Sequence, residues 1–356
     1  MRQGNGGMEM PLKFSQWMDG VGPDADIVLS SRIRLARNLA GLPFPHRMDE
    51  AQSAILLEQI TEAVRALEPQ WAVRIQRLAD LTAVERMGLV ERHLVSPQLV
   101  QEPIRFQSVA INERESVSLM VGEEDHVRIQ MLWPALQLEE AWRAANHVDD
   151  ALESRLSYAF DGKIGYLTAC PTNVGTAMRA SVMLHLPALV MTRQAPQVFT
   201  TLAQIGMVVR GLYGEGSEAL GNIFQVSNQV SLGLAEDEFI HNLTVVAQQI
   251  IGRERHARMH LLQNAEVALA DRVGRAWGLL TNARIMTSEE ALRLLSEVKL
   301  GQELGLLTET VSATFAQLTT MTRSASLQMM AGRDLGPDER DEFRATTLRT
   351  HLLGKD

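Results

Sequence analysis

A chain of 356 residues, 46% hydrophobic and 22% charged, has the make-up of an ordinary globular protein and is long enough for two domains with a substantial core. No segment offers the roughly 18 uninterrupted apolar residues of a membrane span, and MRQGNGGMEM lacks the apolar centre of a signal peptide, so a cytoplasmic protein with no membrane role is expected. A net charge of -9 argues against a protein that coats nucleic acid, whose affinity comes from neutralising many phosphates. Cys170 is the one cysteine, so no internal disulfide can form, and no Cys/His group has zinc spacing. Lys13, Lys163, Lys299 and Lys355 are the only lysines, leaving arginine as 30 of the 34 basic residues. Base composition can produce that bias, yet arginine also has the planar fork that grips phosphate oxygens in pairs.

After a short tail, Phe14 to Met18 reads as a helical turn, followed by the loop GVGPDAD and an alternating run from Ile27, IVLSSRIRLARNL. Alternation places Arg32 and Arg34 on one strand face and Ile33 and Leu35 on the other. Two adjacent guanidinium groups repel unless an anion lies between them, although a solvated edge strand would read the same. Residues 49–67 carry apolar side chains at helical spacing, and 81–95 reads as a second helix with His93 near its end. Three alternating strands follow, at 104–112, 116–122 and 126–132, with NERE as a hairpin turn between the first two. The acid-rich turn GEEDH, from Gly122 to His126, links the last two, and such a turn is usually a solvated loop. Pro134 is expected to open a long amphipathic helix through Leu138, Trp142, Ala145, Val148, Leu152 and Leu156.

Lys163 to Met183, KIGYLTACPTNVGTAMRASVM, is expected to be strand, tight turn, helix. Cys170 would then lie at the positive end of a helix dipole, with Gly175 allowing close approach of a ligand and Arg179 one to two turns on. A buried cysteine in an ordinary turn is the plain alternative. Residues 195–206 read as a helix, and 207–233 as strand, glycine-rich loop, strand, with Arg210 at one end of the loop and Glu215 in its middle. From about Glu236 the pattern is helical only: a long stretch to Leu280 that is one helix or two broken near Gly252, a helix capped by Thr287 with Glu290, another over TVSATFAQLTTM, and a last one from Pro337. A domain boundary is expected near 250.

Arginines near strand ends and turns, two carboxylate-bearing loops and a thiol suit phosphoryl transfer, where a protein mainly positions reactants and neutralises phosphate charge. No Walker-type or protein-kinase loop is present, so arginines would have to hold the nucleotide. SSRIRLAR (30–37), GEEDHVRI (122–129), CPTNVGT with Arg179, and RGLYGEGSEALGNIFQVSN (210–228) occur in this order, and through them the chain resembles the phosphagen kinases, the creatine and arginine kinases. The resemblance implies an α+β fold in which a mainly antiparallel sheet flanked by helices forms the catalytic domain (1–250), followed by an all-α domain (251–356).

Carried over, it implies that ATP is bound by Ser30, Ser31, Arg32, Ile33 and Arg34, by Arg128, by Arg179, Ala180, Ser181, Val182 and Met183, and by Arg210, Gly211, Leu212, Tyr213, Gly214 and Glu215, with His93 a weaker contact. Glu124 would take the proton from the attacking guanidinium nitrogen, Glu215 would hold the other side of that group, and Cys170 would lie against it. Magnesium would be held by nucleotide and water, with no protein ligand named.

Only 29 residues precede Ser30, fewer than the small-molecule kinases carry, so the mouth is expected to admit an arginine on a protein. The helical part resembles that of bacterial protein-arginine kinases, whose RDxxRA motif binds phosphoarginine and is present as Arg340, Asp341, Arg344 and Ala345. Arg340 and Arg344 would share a helix face with a phosphate between them, and Asp341 would pair with the ligand's guanidinium. A surface ion-pair run would read the same. The resemblance further implies protein substrates including a CtsR-type repressor and misfolded proteins, a Clp ATPase/protease as partner, a possible separate activator, and self-association as a homodimer or larger assembly. Rival readings are a kinase of free arginine or another small guanidino compound, and a non-catalytic phosphoarginine adaptor.

Overall fold

Alternating side chains in the first two thirds of the chain build one large sheet, seen in a computed structural model that describes residues 12–102, 104–212, 219–309 and 311–354. Its strands are β1 (Val28–Arg37), β2 (Arg74–Arg77), β3 (Ser108–Ile111), β4 (Val117–Val121), β5 (Val127–Pro134), β8 (Met178–His185), β9 (Met207–Gly211) and β10 (Ile223–Asn228), while β6 (Phe160–Asp161) and β7 (Gly165–Tyr166) form a separate hairpin. The order is β2-β3-β4-β5-β1-β8-β10-β9, with each neighbouring pair antiparallel. An antiparallel sheet can bury one face and leave the other to solvent or ligand. Here Ile33, Leu35, Ile129, Met131, Ala180, Val182 and Val226 line the apolar face and are fully buried.

Helix α1 (Glu50–Arg65) and the short α2 (Glu68–Trp71) precede α3 (Ala83–Glu91) and α4 (Leu138–Glu153). Leu56 and Ile60 of α1 join Leu138, Ala141, Ala145, Val148 and Leu152 of α4 in the core on that apolar face. Pro134 does not open α4 but closes β5 opposite Ser30. Ala135 has a left-handed φ of 55°, and Ser31 Oγ holds the corner by donating to Ala135 O at 2.8 Å and accepting from Gln137 N at 2.9 Å.

The segment 163–183 departs from the strand-turn-helix expectation. After β7 comes a 3-10 turn, Pro171–Asn173, and then β8 instead of a helix. The alternation of buried Ala180, Val182 and Leu184 with Arg179, Ser181 and Met183 outweighs the helical preference of Ala and Met, because β1 and β10 pair with β8 on both sides. Cys170 therefore sits at no α-helix N-terminus. Gly175, with φ at 113°, serves the approach of a neighbouring segment: a Cβ there would stand 2.4 Å from Ser231 O.

Helices α5 (Pro187–Met191) and α6 (Ala195–Gln204) lead to β9, and after β10 the chain is helical: α7 (Glu236–Asn282), α8 (Ser288–Glu303), α9 (Phe315–Met321), α10 (Ser324–Ala331) and α11 (Pro337–Leu353). Helix α7 stays regular through Gly252 and breaks its dihedrals at Ala265, where φ is -146°. The sheet's core takes in α7 as far as Ala257, and a second core begins at Ala276 with Leu294, Leu295, Val298 and Leu348. The two parts are bonded through buried groups. Glu91 on α3 accepts Ala325 N at 2.9 Å and Ser326 N at 2.8 Å, capping α10, and His185 Nε2 lies 2.8 Å from Ser296 Oγ on α8.

Candidate active site

Residues opposite each other in an antiparallel ladder share a face, so register alone determines which side chains meet. Arg34 lies opposite Arg179 on one side and Gln130 on the other; Arg32 lies opposite Ser181, and Arg210 opposite Gln225. Arg128 is two residues from Gln130, and Gln225 is opposite Met183, so Arg32, Arg34, Arg128, Arg179 and Arg210 all project from the face away from the main core. Both ends of that face are closed by small apolar clusters. Trp17, Leu132, Met183 and Ile223 cover one end, and Leu94, Leu99, Val109 and Met120 the other, leaving the arginines between.

The charges there are unbalanced. Among the described residues Arg34 Nε is buried without a hydrogen-bond partner. Burial and the neighbouring Arg32, Arg128 and Arg179 push the Arg34 pKa well below the usual arginine value, against the opposing pull of Glu123. Burial, Arg210 and Arg128 lower that of Arg179 in the same way. Arg179 is steadied by Ser227 Oγ at 3.2 Å, Arg32 reaches Ser181 Oγ and Gln225 Oε1, and Arg128 pairs with Glu123. Guanidinium groups converging at this density create a field that a polyanion relieves. Ser30 is buried and Ser31 faces the Ala135 corner; the side chains of Ile33, Ala180 and Val182 lie in the main core and Met183 in the Trp17 cluster, so Ser31, Ile33, Ala180, Val182 and Met183 do not present side chains to the arginines. Gly211 ends β9 opposite Phe224, and Leu212 packs at the Trp17 cluster. Tyr213, Gly214 and Glu215 lie outside the described residues.

His93 adopts φ of 62° and stacks edge-on to Trp17, with ring centroids 5.3 Å apart. Burial, with Arg32 and Arg323 nearby, lowers its pKa to about 3, so the ring is neutral near pH 7.

At the edge of the arginine patch the turn after β4 divides its acids between two tasks. Glu124 is 41% exposed at its side chain and 3.4 Å from Arg128 Nη2. Burial is the main cause raising its pKa above the ordinary carboxylate value; Asp125 and Glu123 add to this and Arg128 opposes it. Asp125 and His126 are buried fasteners. Asp125 Oδ1 accepts from Asn38 Nδ2 at 2.7 Å and from Ala169 N at 2.8 Å, while His126 Nδ1 accepts from Leu39 N at 2.9 Å. The bond to Ala169 holds the Cys170 loop against the Glu124 turn. Cys170 is half-buried, its Sγ 3.0 Å from Thr172 Oγ1. Sequence reasoning passed over Asn38, Glu123, Gln225 and Ser227. All four lie in or beside the recognised motifs, but their roles depend on which strand lies opposite.

The C-terminal motif differs from its expected geometry. Arg344 is 2% exposed, and its guanidinium donates to Thr322 O and Met286 O, both at 2.8 Å, and to Asp341. Asp341 is thus already paired within the helix, and Ala345 belongs to the second core. Arg340 donates to Leu335 O at 3.4 Å and remains on the rim.

Residues 56–257 match the sequence profile described as ATP:guanido phosphotransferase, C-terminal catalytic domain, which is the class that this sheet and arginine patch define. Two solved structures share the fold: lombricine kinase, over 68% of this chain and 69% of its own at 23% identity and TM-score 0.57, and the duplicated taurocyamine kinase of Schistosoma mansoni, over 79% of this chain and 40% of its own at 22% identity and TM-score 0.60. Residues 266–356 match the protein-arginine kinase McsB C-terminal domain. Protein-arginine kinases from Symbiobacterium thermophilum and Moorella thermoacetica are 55% and 52% identical to this chain, over 95% and 96% of it and 96% and 98% of their own lengths. The chain belongs to the protein-arginine kinase family.

Proposed function

We propose that this protein transfers the γ-phosphoryl group of ATP to the guanidino group of arginine residues in other proteins. The observation that carries the reading is the shared face of Arg32, Arg34, Arg128, Arg179 and Arg210 around a buried Arg34 Nε that has no partner among the described residues, with Glu124 at its margin. The donor set fits a triphosphate, because each arginine can offer paired N–H groups and their mutual repulsion falls when phosphate oxygens lie between them. Magnesium, held by the phosphates and water, supplies further charge neutralisation when bound.

A guanidinium stays protonated far above neutral pH and attacks poorly while its electrons are delocalised. Glu124 orients the acceptor and takes a proton from the attacking nitrogen as the N–P bond forms. The bond from the γ-phosphorus to the β,γ-bridging oxygen breaks, and its electron pair leaves with ADP. Glu215 and Cys170 hold the other sides of the acceptor in this reading. Arg32, Arg34, Arg128, Arg179 and Arg210 stabilise charge on the phosphoryl oxygens throughout.

The helical part is proposed to bind phosphoarginine through Arg340 and Asp341, with Arg344 and Ala345 holding the helix, and to mediate self-association as a dimer or larger assembly. Its setting would be the cytoplasm. Substrates would include a CtsR-type repressor and misfolded proteins, delivered to a Clp ATPase/protease, with a separate activator as a further partner. Incubation with ATP and either an arginine-containing peptide or free arginine, followed by phosphoarginine-preserving mass spectrometry, tests the central claim. Phosphorylated peptide arginines are expected, and turnover of free arginine alone would overturn it.

A further inference from the structure

Two segments bonded to the Cys170 loop or its flanks carry exposed apolar side chains. Phe160 and Ile164 on the β6–β7 hairpin are 58% and 46% exposed, and Val230, Leu232 and Leu234 beyond β10 are 51%, 58% and 42% exposed. These two segments lie far apart in sequence, but the backbone between them is stacked. Tyr166 N donates to Gly175 O at 2.9 Å, and Thr176 N donates to Ser231 O at 3.0 Å. A Cβ on Gly165 would stand 2.4 Å from Gly175 O, so nothing bulkier than glycine lets the hairpin lie this close. The Phe160 ring leans edge-on against Tyr166, with centroids 5.1 Å apart, which keeps the aromatic upright on the hairpin.

Hydrogen bonds connect these segments to the proposed base. Next to Glu124, Asp125 holds Ala169 N at 2.8 Å and so fixes the Cys170 loop. Ser231 Oγ donates to the far side of the same loop, to Val174 O at 3.1 Å and Thr172 O at 3.3 Å, and Leu232 follows directly. A polypeptide whose arginine enters between Glu124 and Cys170 must pass its flanking residues over one rim of the mouth. The bonds through Ala169 and Ser231 put Val230 and Leu232 on the segment that borders the Cys170 loop.

Resting on the acceptor reading above, we propose that Phe160, Ile164, Val230 and Leu232 form a docking ledge for the acceptor polypeptide, selecting extended segments with apolar side chains beside the target arginine. Folded proteins bury such side chains, so the ledge favours arginines in unfolded segments without reading a sequence motif. A free amino acid carries no flanking residues and gains nothing from it.

The test uses the full-length protein, ATP, and two synthetic peptides with one central arginine, flanked in one by Leu and Phe and in the other by Ser and Gly. The apolar peptide is expected to show a KM about tenfold lower at similar kcat, as apolar contacts in a binding site discriminate. A Phe160→Ser, Leu232→Ser double variant should lose that preference while keeping both constants for the polar peptide; these are exposed positions, so that retained activity also reports intact folding. Equal KM values for the two peptides with the unaltered protein would overturn the proposal, as would a variant that keeps the preference. A change in oligomeric state of the variant by sedimentation would also overturn it, assigning the ledge to a second copy of this chain. If free arginine alone is phosphorylated, the acceptor reading fails first and the ledge falls with it, an outcome distinct from two peptides turned over equally.

Discussion

Glu124 shows how one turn assigns different tasks to adjacent acids. It stands half-exposed with a raised pKa, while Asp125 beside it is buried and tied to Asn38 and Ala169. If Glu124 is the proton acceptor, Glu124→Gln should cut phosphotransfer by about 10²–10⁴-fold, the usual contribution of a positioned acid or base, with nucleotide binding by fluorescence titration nearly unchanged. Retained turnover would remove Glu124 from that role. Because burial raises its pKa, the ionised form needed to accept a proton is lost at a higher pH than for an ordinary carboxylate. Activity should therefore fall on the acid side earlier than a free glutamate would predict, and a kcat profile checks this. His93 gives the opposite sign. Unfolded histidine takes a proton near 6.5 while folded His93 does so only at about 3, so its contribution to stability is present above 6.5 and lost as pH falls between these values. The stability difference between the unaltered protein and a His93→Gln variant should shrink over that interval in urea titrations.

The strand β1 carries three arginines with two destinies. Arg32 and Arg34 project into the patch, whereas Arg37 is 2% exposed, with Nε 3.0 Å from Asp149 Oδ2 on α4 and its guanidinium carbon 3.5 Å from the Tyr166 ring centroid. Removing one partner of a buried ion pair leaves the other charge stranded, so Arg37→Ala should destabilise by about 3–5 kcal/mol in denaturant titrations. A loss below 1 kcal/mol, taking ~1 as the scale of an exposed pair, would show Asp149 finding water instead. Alternation in β1 was readable because Arg32 and Arg34 alternate strictly with Ile33 and Leu35 and no helical composition competes. The same alternation in β8 competed with a helical composition, and only pairing with β1 and β10 resolved it. Helix α10 lay beyond sequence reasoning for a related cause: its N-terminal amides are capped by Glu91, whose carboxylate comes from α3 in the other part of the chain.

Across the whole molecule, the helical part and the sheet meet through polar groups as well as apolar surface. Asn222, at the C-terminal root of the segment that follows β9, donates to Ser296 Oγ at 2.8 Å, the same hydroxyl that faces His185. Thr314 Oγ1 donates to Met18 O at 2.6 Å, and Arg255 bonds Asp26 at 2.6 Å. The C-terminal motif instead ties the helical part to itself, which separates two of its arginines by experiment. Arg344→Ala should cost at least about 2 kcal/mol, because Thr322 O and Met286 O lose a buried charged donor. Arg340→Ala should leave the melting temperature nearly unchanged and abolish phosphoarginine binding by calorimetry with ATP binding retained, whereas Asp341→Ala should abolish phosphoarginine binding and also lower the melting temperature, because it strands the buried Arg344 guanidinium. Equal loss of ATP and phosphoarginine binding in Arg340→Ala would assign that residue to stability instead.

Local signals in the chain determined the regular strands, the helices over 49–67 and 81–95 by their apolar spacing, the helix capped by Thr287, and the motifs that carry the arginines and Glu124, because alternation, capping and motif spacing act over a few residues. Tertiary structure alone decided that β8 is a strand, that Arg37 and Arg344 hold the fold together, and that Asp125 ties the Cys170 loop to the Glu124 turn. Each of those outcomes depends on a partner distant in sequence, and a side chain's burial, charge balance and hydrogen bonds exist only once that partner is in place.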